Sequence, residues 1–571
     1  MTNRKWPLVL VAVLLLVSLV SSCSPGEPLP TFKFLSGDSE TAKKYAQGIQ
    51  ENLRANLGIE TVLEATDFNT RLEKMRNGDF DIVLAGWGAD YDDPMTFLDL
   101  WVTDGPYNDV KWSNKTFDEL IAKAKASGNQ DERMAAMAEA EGILLTESPI
   151  VPLYWPAWNY AEHPWVKGIL RATVGPDYDW KWAYTEGRPG GDGKLAMNLG
   201  EEPPDLQSIT TTDQISFEVL NAVNEGLTRK NPQGLFEQGS GVAESWTISP
   251  DGLVYTFTLK DNAKWSDGSP ITAHDFEYAW KKVVDPRTAS QYNYMFFFIK
   301  GAEEVASIEL PDPDADKAGY DAAVAKINEA LDAMGVDAKD DKTLEVTLVA
   351  PSTFFIGLTA FPSYFPVKQS YHEAKGDAYA LEADAILYNG PFMISEWNHG
   401  SNMTLKKNPT YWDAASVKLE EIKFDMIKDI NTPVTMYEAN ELDAIGVPGE
   451  FIPKFRTERP NELKQMAQAT CWYLELNPKN PAFANPKLRR AISLGFDRQS
   501  FVDNVMKNFS MPAIAYNPPS IHGKDGVVFI DKYVDAAAKL SATANLTEAR
   551  KLLEEACKEM KFAVPKPPAA K

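Results

Sequence analysis

The sequence is poor in the residues that build covalent cross-links and metal sites. It contains three cysteines and five histidines among 571 residues. So few cysteines do not make the disulfide framework of a small secreted domain, and the histidines show no spacing typical of a metal site. Cys471 and Cys557, in the body of the chain, could pair outside the cytoplasm, but a buried thiol at Cys557 suits its apolar helical position equally well. We therefore expect no metal and no other cofactor.

The local signatures of several enzyme classes are also absent. The chain has no GxSxG nucleophile elbow, no GxxxxGK[ST] phosphate loop and no GxGxxG dinucleotide turn. The acidic run at residues 312–316 begins like a calcium loop, but Lys317 and Ala323 stand where that loop needs glycine and glutamate. We therefore predict that the protein is not an enzyme.

Positive charge is scarce. The chain has 57 Lys and Arg residues against 81 Asp and Glu residues, for a net charge of −24. Nucleic acids are bound by clustered Lys and Arg side chains, so we expect no nucleic-acid partner. At 571 residues the chain is too long for one hydrophobic core, which predicts two or more domains.

A long apolar run occurs only near the N-terminus. Residues 8–20 form a run of 13 residues behind Arg4 and Lys5, too short to favour a membrane span. This pattern predicts an export signal over residues 1–23. Its end, Val-Ser-Ser-Cys at residues 20–23, resembles a lipobox, which implies cleavage before Cys23 and lipid on its thiol and amine. The alternative is a plain signal peptide with a chance cysteine.

Hydrophobic periodicity and turn residues predict regions of different secondary structure along the rest of the chain. Residues 194–300 are predicted to be rich in strands with interspersed helices, and the Gly-rich residues 187–193 are the clearest internal linker. In the N-terminal part, helices separate three predicted strands, which is half of a doubly wound α/β domain. These strands are at residues 32–35, 61–64 and 80–87.

The segment Gly-Trp-Gly-Ala-Asp-Tyr at residues 86–91 follows the third of these strands. Ligands of open α/β sheets bind at such carboxyl ends. Gly86 and Gly88 permit close approach of a ligand backbone, Trp87 offers a flat apolar surface, and Asp90 offers a fixed negative charge. Together they predict a site for an extended peptide with a free ammonium terminus. The alternative is a structural turn in which Asp90 caps the next segment.

Longer segments carry a resemblance to a known family. AESWTISPDG at residues 243–252, KWSDG at 264–268 and PITAHDF at 270–276 resemble the signature region of the family-5 extracellular solute-binding proteins. Over nearly all of residues 29–562 the chain resembles the oligopeptide-binding proteins of ABC importers. Further matching segments are YNGPF at 388–392, KNPTYW at 407–412, LELN at 474–477 and LRRAIS at 488–493.

The resemblance implies both a fold and a function. The implied fold is the two-lobed α/β fold of periplasmic binding proteins, the Venus flytrap, type II-like, with mixed sheets and a β-rich subdomain in the first lobe. The implied function is capture of oligopeptides in the interlobe cleft and delivery to the permease of an ABC transporter. We expect an extracytoplasmic monomer, anchored by lipid to the cell membrane at the outer surface or in the periplasm. The alternatives are another solute, such as an oligosaccharide, and a peptide-sensing receptor.

Site residues follow from the family's motifs. In oligopeptide-binding members the Asp of the GWxADY motif pairs with the α-ammonium of the peptide, and here that is Asp90. Backbone contacts come from the Gly-Trp stretch and from a Glu-Gly segment of the first lobe. Some members carry an Arg at the position of Leu84, so the partner of the ligand carboxylate stays open. The predicted ligand contacts are Gly86, Trp87, Gly88, Asp90, Tyr91, Glu225, Gly226, Leu227, Tyr292 and Tyr294, the last two with core packing as the alternative role.

The order of the segments differs from the family's order. KLAMNLGEEPPDL at residues 194–206 resembles the start of the mature protein, whereas GWGADY resembles a part near its end. This implies a circular permutation in which residues 187–193 join the former termini, a linker that spans up to ~25 Å. The implied organisation is a signal peptide (1–23), a spacer (24–30), second-lobe segments (31–165 and 468–562), first-lobe segments (166–186 and 194–467) and a disordered tail (563–571).

Overall fold

The computed structural model describes residues 26–352 and 354–568. The predicted signal peptide and its Cys23 lipidation site lie outside these residues. Within them, no helix combines the length and the apolar character needed to cross a membrane.

One mixed sheet of six strands combines two distant parts of the chain. Phe32–Gly37 pairs in parallel with both of its neighbours, and Thr470–Leu476 runs antiparallel to the strands beside it. The three strands predicted in the N-terminal part are confirmed, with helices between them. The sheet order is Met511–Pro512, Ile150–Trp155, Thr470–Leu476, Ile82–Gly88, Phe32–Gly37 and Thr61–Thr66.

The capping residues and the apolar face of helix Glu40–Leu57 explain why this segment is helical and packs on the sheet. Ser39 caps its N-terminus by accepting from the Ala42 N–H, and Gly58 ends it in the left-handed conformation. Its buried residues recur every three or four positions and pack on the sheet. Burial of each large apolar side chain contributes on the order of 1.5–3 kcal/mol. The buried residues are Ala46, Ile49, Leu53 and Leu57.

Two four-stranded sheets form the β-rich part of the first lobe. Only three of their eight strands lie within residues 194–300, so the bounds predicted for the strand-rich region are wrong. Strand Val254–Leu259 alternates, with Tyr255, Phe257 and Leu259 buried on one face. One sheet has the order Lys194–Asn198, Glu421–Asp425, Asn402–Lys407 and Phe392–Asn398, and the other Ala243–Ile248, Val254–Leu259, Thr343–Thr347 and Val336–Asp340.

A three-stranded sheet connects the two lobes. Its central strand, Ala157–Glu162, follows directly on Ile150–Trp155 of the six-stranded sheet. Its edge strand Leu463–Ala467 leads directly into Thr470–Leu476 of the same six-stranded sheet. The chain therefore passes between the lobes through this sheet, whose third strand is Ala444–Gly446. The architecture is a two-lobed α/β fold with mixed sheets.

The remaining elements are short strand pairs and the helices that cover the sheets. Two strand pairs are Val166–Lys167 with Tyr184–Thr185 and Leu170–Arg171 with Tyr178–Asp179. The longer helices are Glu40–Leu57, Phe68–Asn77, Lys115–Ala126, Gln130–Glu147, Gln214–Val223, Ala273–Val284, Lys317–Ala333, Asn431–Glu438, Pro486–Gly495 and Leu546–Met560. Shorter helices are Met95–Leu98, Ala302–Ala306, Phe355–Leu358, Gln369–Lys375, Ile452–Glu458, Arg498–Ser500 and Phe529–Lys532. Cys471 and Cys557 are both buried free thiols.

The ends of the described chain pair with each other. Glu27–Pro28, inside the predicted spacer, runs parallel to Phe562–Ala563 at the start of the predicted tail. The prediction of disorder from residue 563 is therefore wrong at Ala563. Backbone hydrogen bonds need no apolar side chains, so a composition that cannot pack a core does not exclude a strand.

The predicted linker, residues 187–193, is a turn anchored by one side chain. Its four glycines all have positive φ, between 75° and 107°, a region that favours glycine. Arg188 Nε lies 2.9 Å from both carboxylate oxygens of the buried Asp443. The long side chain of Arg188 thus ties this segment to a buried partner that lies far away in the sequence.

Replacement of Arg188 by alanine should destabilise the protein. Asp443 would remain buried with bonds only from Trp165 Nε1 and the Ala196 N–H, and loss of one member of a buried pair costs about 3–5 kcal/mol. Urea denaturation of Arg188→Ala measures this loss. Lys194→Ala, which breaks an exposed pair with Glu421, is the control and should cost less than about 1 kcal/mol. Equal losses in the two variants would contradict the anchoring role.

Candidate functional site

Two adjoining cavities lie where the six-stranded sheet meets the first lobe. The first has a volume of about 360 Å³ and the second of about 730 Å³. Asp90 lines both cavities, together with Thr173 and Gly175. Asp90 therefore stands on the border between the two spaces.

Strand Ile82–Gly88, called the cleft strand below, has one edge that is only partly paired. Thr470–Leu476 pairs with it along its whole length on one side. On the other side, Phe32–Gly37 pairs only with its first two residues. Beyond them, residues 85–88 line the first cavity. The cleft strand thus offers a free sheet edge to this cavity.

Backbone groups of Gly86 and Gly88 point to that free edge. The Asn477 N–H donates to the Asp81 carbonyl oxygen at 2.9 Å, and the Ala89 N–H donates to the Ala469 oxygen at 2.8 Å. In an antiparallel ladder the direction of these bonds alternates along the strand. Odd-numbered residues therefore bond to Thr470–Leu476, and even-numbered residues direct their N–H and C=O groups to the free edge. An extended ligand can pair there as an additional strand.

The first glycine of the motif is required by packing. A Cβ atom on Gly86 would lie 2.9 Å from the ring of Trp472, whereas one on Gly88 would lie 3.4 Å from Thr470 Oγ1. The backbone at both glycines is exposed. Glycine at position 86 thus lets the Trp472 ring lie flat under the free edge.

Asp90 is held by two hydroxyl groups from the other lobe. Tyr292 Oη donates to Asp90 Oδ1 at 3.1 Å, and Tyr294 Oη donates to Oδ2 at 3.4 Å. Burial raises the pKa of Asp90 to about 8, although bonds from the tyrosines and Thr96 oppose the shift. The expectation of a fixed negative charge at Asp90 is therefore wrong near neutral pH without a cationic partner. The carboxyl group keeps access to the cleft and is suited to receive a cation.

The aromatic residues of the motif flank Asp90 on opposite sides. Trp87 contacts the ring of Tyr107 edge-on, with centroids 4.7 Å apart, and lines the first cavity. Tyr91 stacks on Phe354, with centroids 4.8 Å apart, and lines the second. In the described residues, neither the Trp87 Nε1 nor the Tyr91 hydroxyl has a hydrogen-bond partner. Six of the ten predicted contacts thus line the two cavities, and a seventh, Tyr294, lines neither but bonds to Asp90.

The other three, Glu225, Gly226 and Leu227, line neither cavity. Their carbonyl groups already accept bonds from Asn389 Nδ2 and from the N–H groups of residues 242 and 243. The Glu225 carboxylate accepts from Tyr411 and Trp412. The carbonyl groups of this segment are thus used within the first lobe, and its supply of backbone contacts to a ligand stays a prediction.

Several residues of the first cavity are not among the predicted contacts, because no recognised segment contains them or, for Glu475 in the segment at 474–477, because the segment gave no site role. The first-lobe wall comes from residues around the start of helix Gln214–Val223, where Asp213 is the N-cap. The missed lining residues are Arg71, Arg76, Tyr107, Asp109, Thr212, Asp213, Gln214, Phe217, Tyr473 and Glu475. Of these, only Asp213, by its N-cap pattern, and Glu475, by its place in the segment at 474–477, have a local signal in the sequence.

The cations of this cavity are Arg71 and Arg76. The Leu84 side chain is buried in the core on the helical side of the sheet, so position 84 presents no group to the cleft. Arg71 Nη1 donates to the Leu84 carbonyl at 3.1 Å, on the free edge. Arg76 Nη2 donates to Thr212 Oγ1 at 3.3 Å. A ligand carboxylate at this end of the cleft therefore has two guanidinium groups available.

Comparison with known proteins gives relatives along much of the chain. The dipeptide-binding protein DppE of Bacillus subtilis is 33% identical over 380 residues, which are 66% of this chain and 65% of the relative. The oligopeptide-binding protein OppA of the same species is 36% identical over 345 residues, 59% of each chain. The matched part is thus less than two thirds of the length of these curated relatives.

Solved structures show the same fold. The substrate-binding domain of an oligopeptide ABC transporter from Bacillus anthracis has a TM-score of 0.54 at 30% identity, covering 66% of this chain and 68% of that chain. Listeria monocytogenes OppA bound to peptide has a TM-score of 0.54 at 28% identity, covering 66% and 69%.

A family model completes the comparison. The model described as bacterial extracellular solute-binding proteins, family 5 Middle, matches residues 17–109 and 237–565, which together are more than half of the chain. These two stretches contain the cleft strand, Asp90 and both tyrosines that bond to it. The chain therefore belongs to the bacterial extracellular solute-binding proteins of family 5.

Proposed function

We propose that this protein captures oligopeptides in the cleft between its lobes and delivers them to the permease of an ABC transporter. The observation that carries the proposal is the free edge of the cleft strand, where Gly86 and Gly88 direct backbone groups into a cavity that ends at Asp90. A peptide backbone has the alternating N–H and C=O groups that such an edge can pair with. A sugar lacks this alternation, which disfavours the oligosaccharide alternative.

Main-chain pairing and an ion pair with Asp90 would both contribute to the binding affinity. Main-chain pairing gives affinity whatever the ligand's side chains are, which suits a protein that takes many peptides. An ion pair between the peptide ammonium and Asp90 fixes the end and direction of the ligand, and contributes on the order of 1.5–3 kcal/mol. Binding without catalysis accounts for both contacts.

The same carboxylate couples binding to the closed arrangement of the lobes. Asp90 belongs to the six-stranded sheet's lobe, and its partners Tyr292 and Tyr294 belong to the other. A ligand favours closure only through contacts with both lobes, and an ammonium group at Asp90 lies where both lobes meet. Closure would be a hinge motion of the lobes around the ligand, and the closed, loaded monomer would then dock on the permease. A peptide-sensing receptor would use the same closure without a permease.

The names of the relatives support a peptide ligand. They describe dipeptide- and oligopeptide-binding proteins, and one solved relative is OppA with a bound peptide. The proposed location is outside the cytoplasm, with the protein tethered by lipid at Cys23.

We also propose that the chain is circularly permuted. The short turn at residues 187–193 would join the former termini, and the pairing of Glu27–Pro28 with Phe562–Ala563 keeps the present ends close together. The two separate stretches matched by the family model are compatible with this order. Neighbours in space would be preserved, so the proposed site does not depend on the order of the segments.

Replacement of Asp90 by asparagine should weaken a peptide with a free amino terminus by about 10- to 100-fold, because the charge-assisted bond is lost. The N-acetylated form of the same peptide should bind both proteins within about twofold. Calorimetric titration measures both affinities. Asp92→Asn is the matched control, since Asp92 is an exposed neighbouring carboxylate that pairs with His522. Equal losses for both peptides in Asp90→Asn would contradict the ammonium role.

Peptide binding should release protons near neutral pH. Below about 8, the pKa of Asp90, this carboxyl group is mostly protonated in the free protein, whereas an ammonium ligand favours its ionised form. Affinity for a peptide with uncharged side chains should therefore rise with pH, until the peptide's amino group loses its own proton at about 7.7–8.0. Calorimetry in two buffers of different ionisation enthalpy counts the protons. The same count in Asp90→Asn would assign the release to another group.

Lipidation at Cys23 should hold the protein at the membrane. The full-length protein should appear in the membrane fraction of the producing cells, with a lipid-modified N-terminal peptide in mass spectrometry. Cys23→Ala should move it to the soluble fraction. Identical fractionation and an unmodified cysteine in the parent protein would exclude the anchor.

A further inference from the structure

A second acidic group, apart from Asp90, lines the first cavity at its far end. Glu475 lies on Thr470–Leu476, opposite Val83 of the cleft strand. Its side chain is almost completely buried, at 1% exposure, and lines the cavity. Within the described chain its Oε2 atom has no hydrogen-bond partner. An unpartnered buried carboxylate is costly, which marks this position as one that a ligand can satisfy.

Asp109 adds a second carboxyl group to the same end of the cavity. Burial, and then the charge of Asp109, raise the pKa of Glu475, and burial raises the pKa of Asp109 to about 6. Among the described residues, no lysine or arginine nitrogen lies within 4.0 Å of either carboxylate. The two acids therefore disfavour each other's ionised form, and a cation between them would relieve both.

Nearby cations offset this only in part: the charge of Arg71 lowers the pKa of Glu475, and the charges of Lys111 and Arg76 lower that of Asp109, yet the pKa of each acid remains raised. Arg71 directs Nη1 to the Leu84 carbonyl and lies over the Phe68 ring, 5.5 Å from its centroid. Arg76 directs Nη2 to Thr212. Both guanidinium groups thus have partners on other walls of the cavity.

The position of a peptide that pairs with the free edge determines which of its side chains can reach Glu475 and Asp109. Side chains alternate between the two faces of a sheet, and Glu475 shares its face with Ala85 and Trp87 rather than with Gly86. If Asp90 places the first peptide residue opposite Gly88, the second and fourth residues point to the Glu475 face. The fourth lies opposite Ala85, two strands and two residues from Glu475, or about 12 Å between Cα atoms. An extended lysine or arginine facing a glutamate spans this distance, whereas the second residue is farther away.

We propose that Glu475 and Asp109 form a subsite for a basic side chain at the fourth residue of a bound peptide. The inference rests on the proposed peptide-binding function and narrows it to peptides with lysine or arginine at that position. Phe32–Gly37 occupies the sheet edge beyond Leu84, so a strand added at the free edge cannot continue past the acids. The free edge therefore ends close to Glu475 and Asp109.

The test compares three pentapeptides that differ in one residue: Ala-Ala-Ala-Lys-Ala, the same peptide with norleucine at position four, and one with the lysine at position three. Calorimetry at neutral pH should give the first an affinity at least about tenfold above that of the other two. In Glu475→Gln and, separately, Asp109→Asn, this advantage should fall to less than about threefold, with norleucine-peptide binding unchanged.

The norleucine peptide distinguishes a failure of the proposed peptide-binding function from a failure of the proposed subsite. If no pentapeptide binds the parent protein, the proposed function fails. If all three bind equally, or if the advantage of lysine at position four survives in both variants, peptide binding stands and the subsite is refuted. Asp109→Asn keeps the test valid if Glu475→Gln does not fold, because Asp109 is only partly buried and its replacement is isosteric.

Discussion

The site depends on the point at which one pair of strands separates. Phe32–Gly37 pairs with the cleft strand at Ile82 and Val83 and then leaves it, so that the remaining backbone groups face a cavity instead of a neighbour. A free sheet edge is normally a liability that proteins cover. Here the opposite lobe and a ligand can cover it. Glycine at position 86 matters because a side chain there would meet the Trp472 ring beside this edge.

Charge in the cleft follows from the same arrangement. Carboxyl groups at both ends of the free edge are buried with few cationic partners, so burial raises the pKa of Asp90, Asp109 and Glu475. Without a ligand, protonation and the hydroxyl groups of Tyr292 and Tyr294 reduce the cost of burying these acids. A peptide with an ammonium terminus and a basic side chain would provide the missing charges, and binding, closure and proton release would then be coupled.

The sequence predicted those parts of the site that are continuous in the chain. Gly86 to Tyr91 form a strand end and turn, and local periodicity was enough to place them beside a ligand cavity. The role of the Glu-Gly segment at 225–226 stays a prediction, because a short motif does not say whether its backbone groups are already bonded, and here Asn389 binds those of Glu225. Glu475 and Asp109 could not be predicted as a pair, since 366 positions separate residues 109 and 475. Glu475 lies in the matching segment at 474–477, but a local segment does not say which distant side chain it meets.

The sequence by itself determined the alternation of strands and helices, the absence of familiar enzyme motifs and the position of Asp90 after a strand, because these follow from periodicity and from residue types close together in the chain. The two-lobed fold was implied by the resemblance to family 5. Only the tertiary structure decided that the cleft strand has a free edge, that Arg188 anchors the turn at residues 187–193, and that the Asp90 carboxyl group has a raised pKa. Pairing partners and burial depend on which distant segments meet, and no local pattern encodes that meeting.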